Sequence, residues 1–198
     1  MLVLASASPR RQELLRNAGI AFVVQSTNIP EVPQPGEAPR AFAERMAREK
    51  ALAVFRLRPN DFVLGADTIV VVDGEILGKP RDSTDAVRML RLLSGRTHLV
   101  VTGVCLVGPQ LSKDDRRQGI GLEDIRSETT LVTLDPLGDD DIHSYVSTGE
   151  PTDKAGAYAI QGRASRWVSR IEGDYFNVVG LPVSLVYKML WEHGAIQS

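Results

Sequence analysis

Gly65-Ala66-Asp67-Thr68-Ile69-Val70-Val71-Val72-Asp73-Gly74-Glu75-Ile76-Leu77-Gly78-Lys79-Pro80 holds the pattern from which the fold class follows. Ile69 to Val72 is a strongly β-forming run, Asp73-Gly74 is a two-residue turn signal, and Glu75 to Leu77 carries the chain back. Asp-Gly between apolar runs favours a hairpin because both central turn positions need positive φ. A hairpin here disfavours a strictly parallel, doubly wound sheet. It also predicts that Asp67, before one arm, and Lys79, after the other, lie near the same end. On local evidence that pair is either an incidental surface ion pair or the start of a site.

Leu2 to Ala5 predict a short buried strand that leads directly into a helix ending near Ala18-Gly19. Ser8 fits the N-cap, Pro9 the first helical position and Gly19 the left-handed C-terminal position. A strand running into a helix N-terminus is an anion-binding geometry, because the unpaired N–H groups and the helix dipole both favour negative charge. Ser6, Ser8, Arg10 and Arg11 crowd that corner, although an ordinary capped helix with two solvated arginines would look the same. Phe22 to Val24 predict a strand, Asn28 to Pro39 an exposed loop containing Glu31, and Ala38 to Phe55 a helix with Lys50 in its C-terminal half. Phe42, Met46 and Ala53 give that helix an apolar stripe, and a solvated lysine is the plain reading of Lys50.

Beyond Pro80, Asp82 or Ser83 caps a helix whose Ala86, Met89, Leu90 and Leu93 follow helical spacing. His98 to Val107 is a β-rich run, Gly108 to Ser127 a charged stretch expected to form a mobile loop, and Thr129 to Leu134 a return to the sheet. Asp139-Asp140-Asp141 is expected to supply the N-cap and first turn of a short helix carrying Ile142, Tyr145 and Val146 rather than to bind a metal. Gly149 to Gly162 is expected to be a structured functional loop. Trp167 to Ile171 and Phe176 to Val179 are expected as strands, and Leu181-Pro182 as the start of a last helix carrying Val183, Val186, Tyr187 and Leu190 on one side. Helices alternating with strands and hairpins over 198 residues predict one α/β domain, residues 1–198, with a mixed sheet.

Composition narrows the function. Net charge is −2, so no global electrostatic case exists for nucleic acid or membrane as partner. Apolar runs fall far short of the ~20 residues of a membrane span, and no basic lead-in precedes a long apolar stretch, so a cytoplasmic protein is expected. Cys105 is the single cysteine, which excludes an intramolecular disulfide or a multi-cysteine metal site, and its apolar neighbours place it in the core. His98, His143 and His193 are isolated from candidate nucleophiles and are expected to be structural or exposed. What remains is a set of charges in loops and at element ends: Arg10, Arg11, Glu31, Lys50, Asp67, Lys79, Asp153 and Lys154. Five cations with three carboxylates suit a polyphosphate and a hard divalent ion. Arginine grips phosphate bidentately, lysine acts as a compact charge, and Mg²⁺ or Mn²⁺ takes carboxylate and phosphate oxygens.

The same stretches resemble the Maf family of nucleoside triphosphate pyrophosphatases, first linked to septum formation. The resemblance is carried by Leu4 to Arg11, Arg48-Glu49-Lys50-Ala51, Gly65-Ala66-Asp67-Thr68 with Gly78-Lys79-Pro80, Asp153 to Gly162, and Gly173 to Pro182. It covers nearly the whole chain, five motifs in the family's order. It implies an α/β/α mixed-sheet architecture, like that of the inosine triphosphate pyrophosphatases, with a cleft between two lobes and frequent homodimerisation. The implied reaction is divalent-cation-dependent hydrolysis of a nucleoside triphosphate to the monophosphate and pyrophosphate.

Residue by residue, the resemblance puts Asp67 at the position of the proposed general base, with metal ligand as the alternative role. It puts Glu31 and Lys50 at positions for metal handling and catalysis, and Lys79, Ser8, Arg10 and Arg11 at phosphate-binding positions. Arg11, Thr68 and Gln161 match the three specificity positions of the subgroup resembling dTTP/UTP pyrophosphatases. The physical sense is that Gln161 offers both an amide donor and a carbonyl acceptor to a uracil or thymine edge. The rival expectations are an inosine or xanthosine triphosphate pyrophosphatase and a nucleotide-binding regulator of septation with vestigial hydrolysis.

Overall fold

The computed structural model describes residues 1–26, 28–109 and 120–196. Its elements run β1 (Leu2–Leu4), α1 (Pro9–Asn17), β2 (Val23–Val24), α2 (Pro39–Phe55), β3 (Phe62–Val72), β4 (Glu75–Leu77), α3 (Ser83–Leu93), β5 (Thr97–Pro109), β6 (Ile120–Leu134) and α4 (Asp139–Ser147). Three short 3-10 turns between Glu150 and Trp167 follow, then β7 (Val168–Glu172), α5 (Tyr175–Val179) and α6 (Val183–Glu192). Strand order is β2-β1-β3-β5-β6-β7, with β4 paired to β3 off this path. β1 is parallel to β2 and to β3, while β3–β4 and β6–β7 are antiparallel, so the sheet is mixed as the Asp73-Gly74 signal requires. Among the described residues no helix is long and apolar enough to cross a membrane.

The chain divides into two compact units, residues 1–67, 102–128 and 180–198 in the first, residues 68–101 and 129–179 in the second. In the first, α2 lies on the sheet through a core of Val3, Ala5, Ala47, Ala51, Val54, Phe55, Val63, Cys105 and Val107. The small residues on α2 allow a very close approach. A Cβ on Gly65 would meet the Ala47 carbonyl oxygen at 2.1 Å, and one on Gly103 would meet that of Ala43 at 2.3 Å. Glycine is therefore required on both strands where the helix backbone crosses them. Ion pairs dock the same helix: Arg48 grips Glu123 of β6 with two nitrogens at 2.7 and 3.2 Å.

In the second unit, Asp73 at φ 51° and Gly74 at φ 80° make the hairpin turn, and Val70 pairs with Leu77 in the ladder that follows. The Asp82 carboxylate caps α3 by accepting the Asp85 N–H at 2.8 Å. Ala86, Met89, Leu90 and Leu93 of α3 are buried, as are Ile142 and Tyr145 of α4, with the Tyr145 ring edge-on to Trp167 at 5.2 Å. Each such large apolar side chain contributes about 1.5–3 kcal/mol on burial.

Several expectations are corrected. Of the anticipated loop, residues 108–109 end β5 and residues 120–127 are the first half of β6, while 110–119 lie outside the described residues. Phe176 to Val179 belong to the short helix α5, not a strand: the Asp174 carboxylate accepts the Phe176 N–H at 2.7 Å, and Gly180 at φ 129° ends the turn. Gly138, not an aspartate, occupies the N-cap of α4, with the three aspartates in its first turn. On α6, Val186, Met189 and Leu190 are buried while Tyr187 is exposed.

Candidate active site

β1 delivers the chain into α1 with Ser8 at the N-cap position, but the Ser8 side chain makes no capping hydrogen bond. Ser6 orders this corner instead. Its Oγ accepts the Ser8 N–H at 3.3 Å and an Nη1–H of Arg11 at 3.1 Å. Arg11 also donates Nε–H to the Gly180 carbonyl at 2.7 Å, which ties the guanidinium to the segment leading into α6. Ser6 and Gly180 are thus part of the constellation. Ser6 was visible as a member of the polar corner, whereas a backbone carbonyl 169 residues away carries no sequence signal.

α2 supplies Lys50 from its buried face. The lysine is nearly buried, which excludes the solvated reading. Its Nζ donates to Asp67 Oδ1 at 2.5 Å and to Glu31 Oε1 at 2.7 Å, so one ammonium joins a carboxylate from β3 to a carboxylate from the loop before α2. That loop is pinned by Arg45, earlier on α2, which pairs with Glu37 through two nitrogens at 2.6 and 2.7 Å and donates to the Val32 carbonyl at 3.1 Å. Glu31 therefore hangs from an anchored backbone.

Burial dominates the electrostatics. It pushes the Asp67 carboxyl above its ordinary range, with the Lys50 and Arg11 cations acting in the opposite direction and Glu31 adding to the rise. Burial also lowers the affinity of Arg11 for its proton, against which the charges of Asp67 and Glu31 favour the cation. Asp67 is consequently a desolvated carboxylate of raised basicity, oriented by an ammonium, with a guanidinium in its electrostatic surroundings. That combination suits proton abstraction beside an anionic substrate.

The first unit thus brings together Glu31, Lys50 and Asp67 in direct contact, with Arg11 coupled to them through charge, and half-buried Ser8 and Arg10 at the α1 corner. The other sequence-predicted residues belong to the second unit. Thr68 follows Asp67 on β3 and is half-buried. Lys79 lies two residues past Leu77, the last residue of β4, and is exposed. Gln161 is exposed in the turn from Ala159 to Gly162, closed by the Gly162 N–H to the Ala159 carbonyl at 3.0 Å.

Glu31 and Asp67 fit a hard divalent cation by donor type, since both offer carboxylate oxygens and already converge on one positive charge. Among the described residues, three potential ligands also meet at Asp124, Glu192 and His193. There the Arg126 guanidinium donates to Asp124 at 2.7 Å and to Glu192 at 2.5 Å, and His193 bonds Asp124 at 2.8 Å. That group is an ion-pair network with its cation in place. Of the other histidines, His98 is buried against the Tyr158 hydroxyl at 2.8 Å, and His143 is exposed.

A family profile described as "Maf-like protein" matches residues 1–193. The chain belongs to the Maf family. Among relatives of this Maf protein, one from Koribacter versatilis is 55% identical over 98% of this chain and 95% of its own length, and bears the name dTTP/UTP pyrophosphatase. Relatives from Geobacter sulfurreducens and Symbiobacterium thermophilum, named likewise, are 52% and 51% identical, each over 98% of this chain and over 97% and 94% of their own lengths. Among solved structures, the Staphylococcus aureus Ham1 protein aligns over 97% of this chain and 98% of its own with 15% identity and a TM-score of 0.46.

Proposed function

We propose that this Maf-family chain hydrolyses dTTP and UTP to the monophosphate and pyrophosphate. The observation that carries the reading is the Lys50 bridge, which holds the buried Asp67 carboxylate and Glu31 together within the charge field of Arg11. Relatives that are about half identical over nearly their full lengths and carry the name dTTP/UTP pyrophosphatase support the substrate.

In this reading Ser8, Arg10 and Arg11 bind phosphate oxygens at the N-terminus of α1, where backbone N–H groups add to the cationic charge. Lys79 is a further phosphate-binding residue. Asp67 orients a water and takes its proton as the oxygen attacks the α-phosphorus. The bond from the α-phosphorus to the bridging oxygen breaks, and pyrophosphate leaves with that oxygen. Lys50 keeps Asp67 in position and favours its ionised form. Glu31 and Asp67 are the residues that would hold Mg²⁺ or Mn²⁺. When bound, such an ion would withdraw charge from phosphate oxygens and acidify water. Thr68 and Gln161 set nucleobase choice, Gln161 by matching the donor and acceptor pattern of a uracil or thymine edge.

The decisive experiment is a panel of nucleoside triphosphates incubated with the purified protein and Mg²⁺ or Mn²⁺, with products separated by chromatography. Pyrophosphate and monophosphate should form fastest from dTTP and UTP. A preference for inosine or xanthosine triphosphate, release of orthophosphate, or tight binding of dTTP without turnover would each overturn the proposal.

A further inference from the structure

The turn that carries Gln161 is held at both ends by two side chains to which the proposed mechanism gives no role. Tyr145 of α4 is fully buried, and its hydroxyl accepts the Ala159 N–H at 3.1 Å while donating to Glu150 Oε1 at 2.9 Å. The same Glu150 oxygen accepts the Arg163 N–H at 3.0 Å. Ala159 opens the turn and Arg163 follows its last residue, so one hydrogen-bonded path, N–H to phenol to carboxylate to N–H, closes across Ile160, Gln161 and Gly162. Gly162 lies directly on the carboxylate: a Cβ there would fall 2.0 Å from Glu150 Oε1. Glu150 is itself fixed, its N–H donating to Thr148 Oγ1 at 3.2 Å and its carbonyl accepting from Lys154 Nζ at 3.2 Å. A third tie precedes the turn, where the Tyr158 hydroxyl meets His98.

We infer that Tyr145 and Glu150 are positioning residues for nucleobase selection, clamping the Ala159–Arg163 turn so that the Gln161 amide is presented in one orientation. This rests on the proposed role of Gln161 in base recognition. The physical ground is that an exposed glutamine discriminates poorly unless its backbone is fixed. A pair of hydrogen bonds to a base edge selects only when both partners are held in register. A clamp involving a carboxylate is stronger than one of neutral groups, because hydrogen bonds to an ionised acceptor contribute about twice as much. The clamp is local to this turn, and neither side chain is itself assigned to touch the nucleotide.

The test is the ratio of kcat/KM for UTP to that for inosine triphosphate. It is measured in wild type, Tyr145→Phe, Glu150→Ala, Gln161→Ala, and each clamp variant combined with Gln161→Ala. The ratio is internal to each preparation, so loss of correctly folded protein cancels. Should Tyr145→Phe fold too poorly to assay, the half-buried Glu150 position carries the same measurement. Losing one charge-assisted bond should lower the ratio about tenfold, chiefly through a higher KM for UTP. In the Gln161→Ala background the clamp substitutions should leave the ratio where it is, since they would act through a side chain no longer present. Glu150→Gln, which keeps one acceptor oxygen, should restore part of the ratio. If Gln161→Ala collapses the ratio but the clamp variants do not, or if their effect persists in full without Gln161, the inference is overturned while the reading of Gln161 stands. If Gln161→Ala itself leaves the ratio unchanged, the reading of Gln161 fails and the inference falls with it.

Discussion

Gly65→Ala tests how the Lys50 bridge is set. The added Cβ would sit 2.1 Å from the Ala47 carbonyl oxygen, 2.8 Å from the Ala51 nitrogen and 2.9 Å from the Ala51 Cβ. Ordinary contact begins at about 3.4 Å, so α2 must retreat from β3 by roughly 1 Å at this crossing. None of these atoms is the free end of a flexible side chain. Asp67 lies two residues along the same strand, and Lys50 lies between Ala47 and Ala51 on the same helix. The 2.5 Å bond from Lys50 to Asp67 should therefore stretch towards 3.5 Å, the limit of hydrogen bonding. Overpacking of this kind costs about 1–3 kcal/mol of stability. A misplacement of about 1 Å in a catalytic constellation costs about 10² in rate. Urea unfolding monitored by tryptophan fluorescence measures the first effect, and pyrophosphate release from UTP the second. Wild-type turnover in a variant that unfolds at lower urea would show that the helix-to-strand distance does not set the geometry of the bridge. Wild-type behaviour in both would refute the close approach itself.

Asp67→Asn should lower turnover of UTP by about 10²–10³. Burial raises the folded-state pKa of Asp67, so its contribution to stability is fully present below the unfolded value and is lost as pH rises through the folded one. The uncharged variant should then gain stability relative to wild type as pH rises over that interval, and a pH-independent difference in melting temperature would contradict this account. His98 has the opposite sign: burial lowers its pKa to about 4, so its contribution is present above the unfolded value and is lost as pH falls towards 4. That loss amounts to roughly 3 kcal/mol. His98→Gln should flatten the acid side of a stability profile, and an unaltered slope between pH 7 and 4 would count against it. Arg45→Met releases the loop that carries Glu31 and should reduce kcat/KM for UTP about tenfold, given charge-assisted bonds of this strength. Steady-state kinetics unchanged from wild type would show that the loop holds itself.

Much of the fold was legible because it rests on local chemistry. The Asp73-Gly74 turn, the β1-to-α1 corner and the apolar spacing of α3 each state their structure within a dozen residues. The failures came where distant groups decide. Phe176-Asn177-Val178-Val179 has the composition of a strand, yet Asn177 donates its amide to the Val100 carbonyl and to Thr130 Oγ1, both at 3.0 Å, and the segment coils into α5 around that buried anchor. Residues 120–127 are charged enough to suggest loop, but pairing within the sheet, the bond from Arg48 of α2 to Glu123 and the bond from the Ser127 hydroxyl to Glu44 of α2 hold them as strand. At the site, residue types alone nominated Lys50, Asp67 and Glu31 as separate charges. Their convergence depends on α2 crossing β3 at Gly65, and nothing in the local pattern of either element announces that crossing. The Tyr145–Glu150 clamp was equally hidden, since it depends on the path of the Ala159–Arg163 turn.

The resting charges also constrain how a triphosphate could be received. Glu31 and Asp67 carry two negative charges against the two positive charges of Lys50 and Arg11, so the neighbourhood is close to neutral before any ligand arrives. Lys50 is preorganised by the two carboxylates and Arg11 by Ser6 Oγ and the Gly180 carbonyl, which means that an incoming phosphate meets oriented donors rather than side chains that must first be ordered. The same arrangement sets a competition. A phosphate oxygen that drew Lys50 towards itself would weaken the partner that favours the ionised form of Asp67. Burial and the neighbouring Glu31, which both raise the proton affinity of Asp67, would then act with less opposition. On the proposed reading, binding of the anion therefore strengthens Asp67 as a base at the stage when a water must lose its proton. A fully solvated carboxylate on the same strand would have little of this response, because water would screen the lysine in either position. The burial of Asp67 is thus what makes its basicity answer to the substrate.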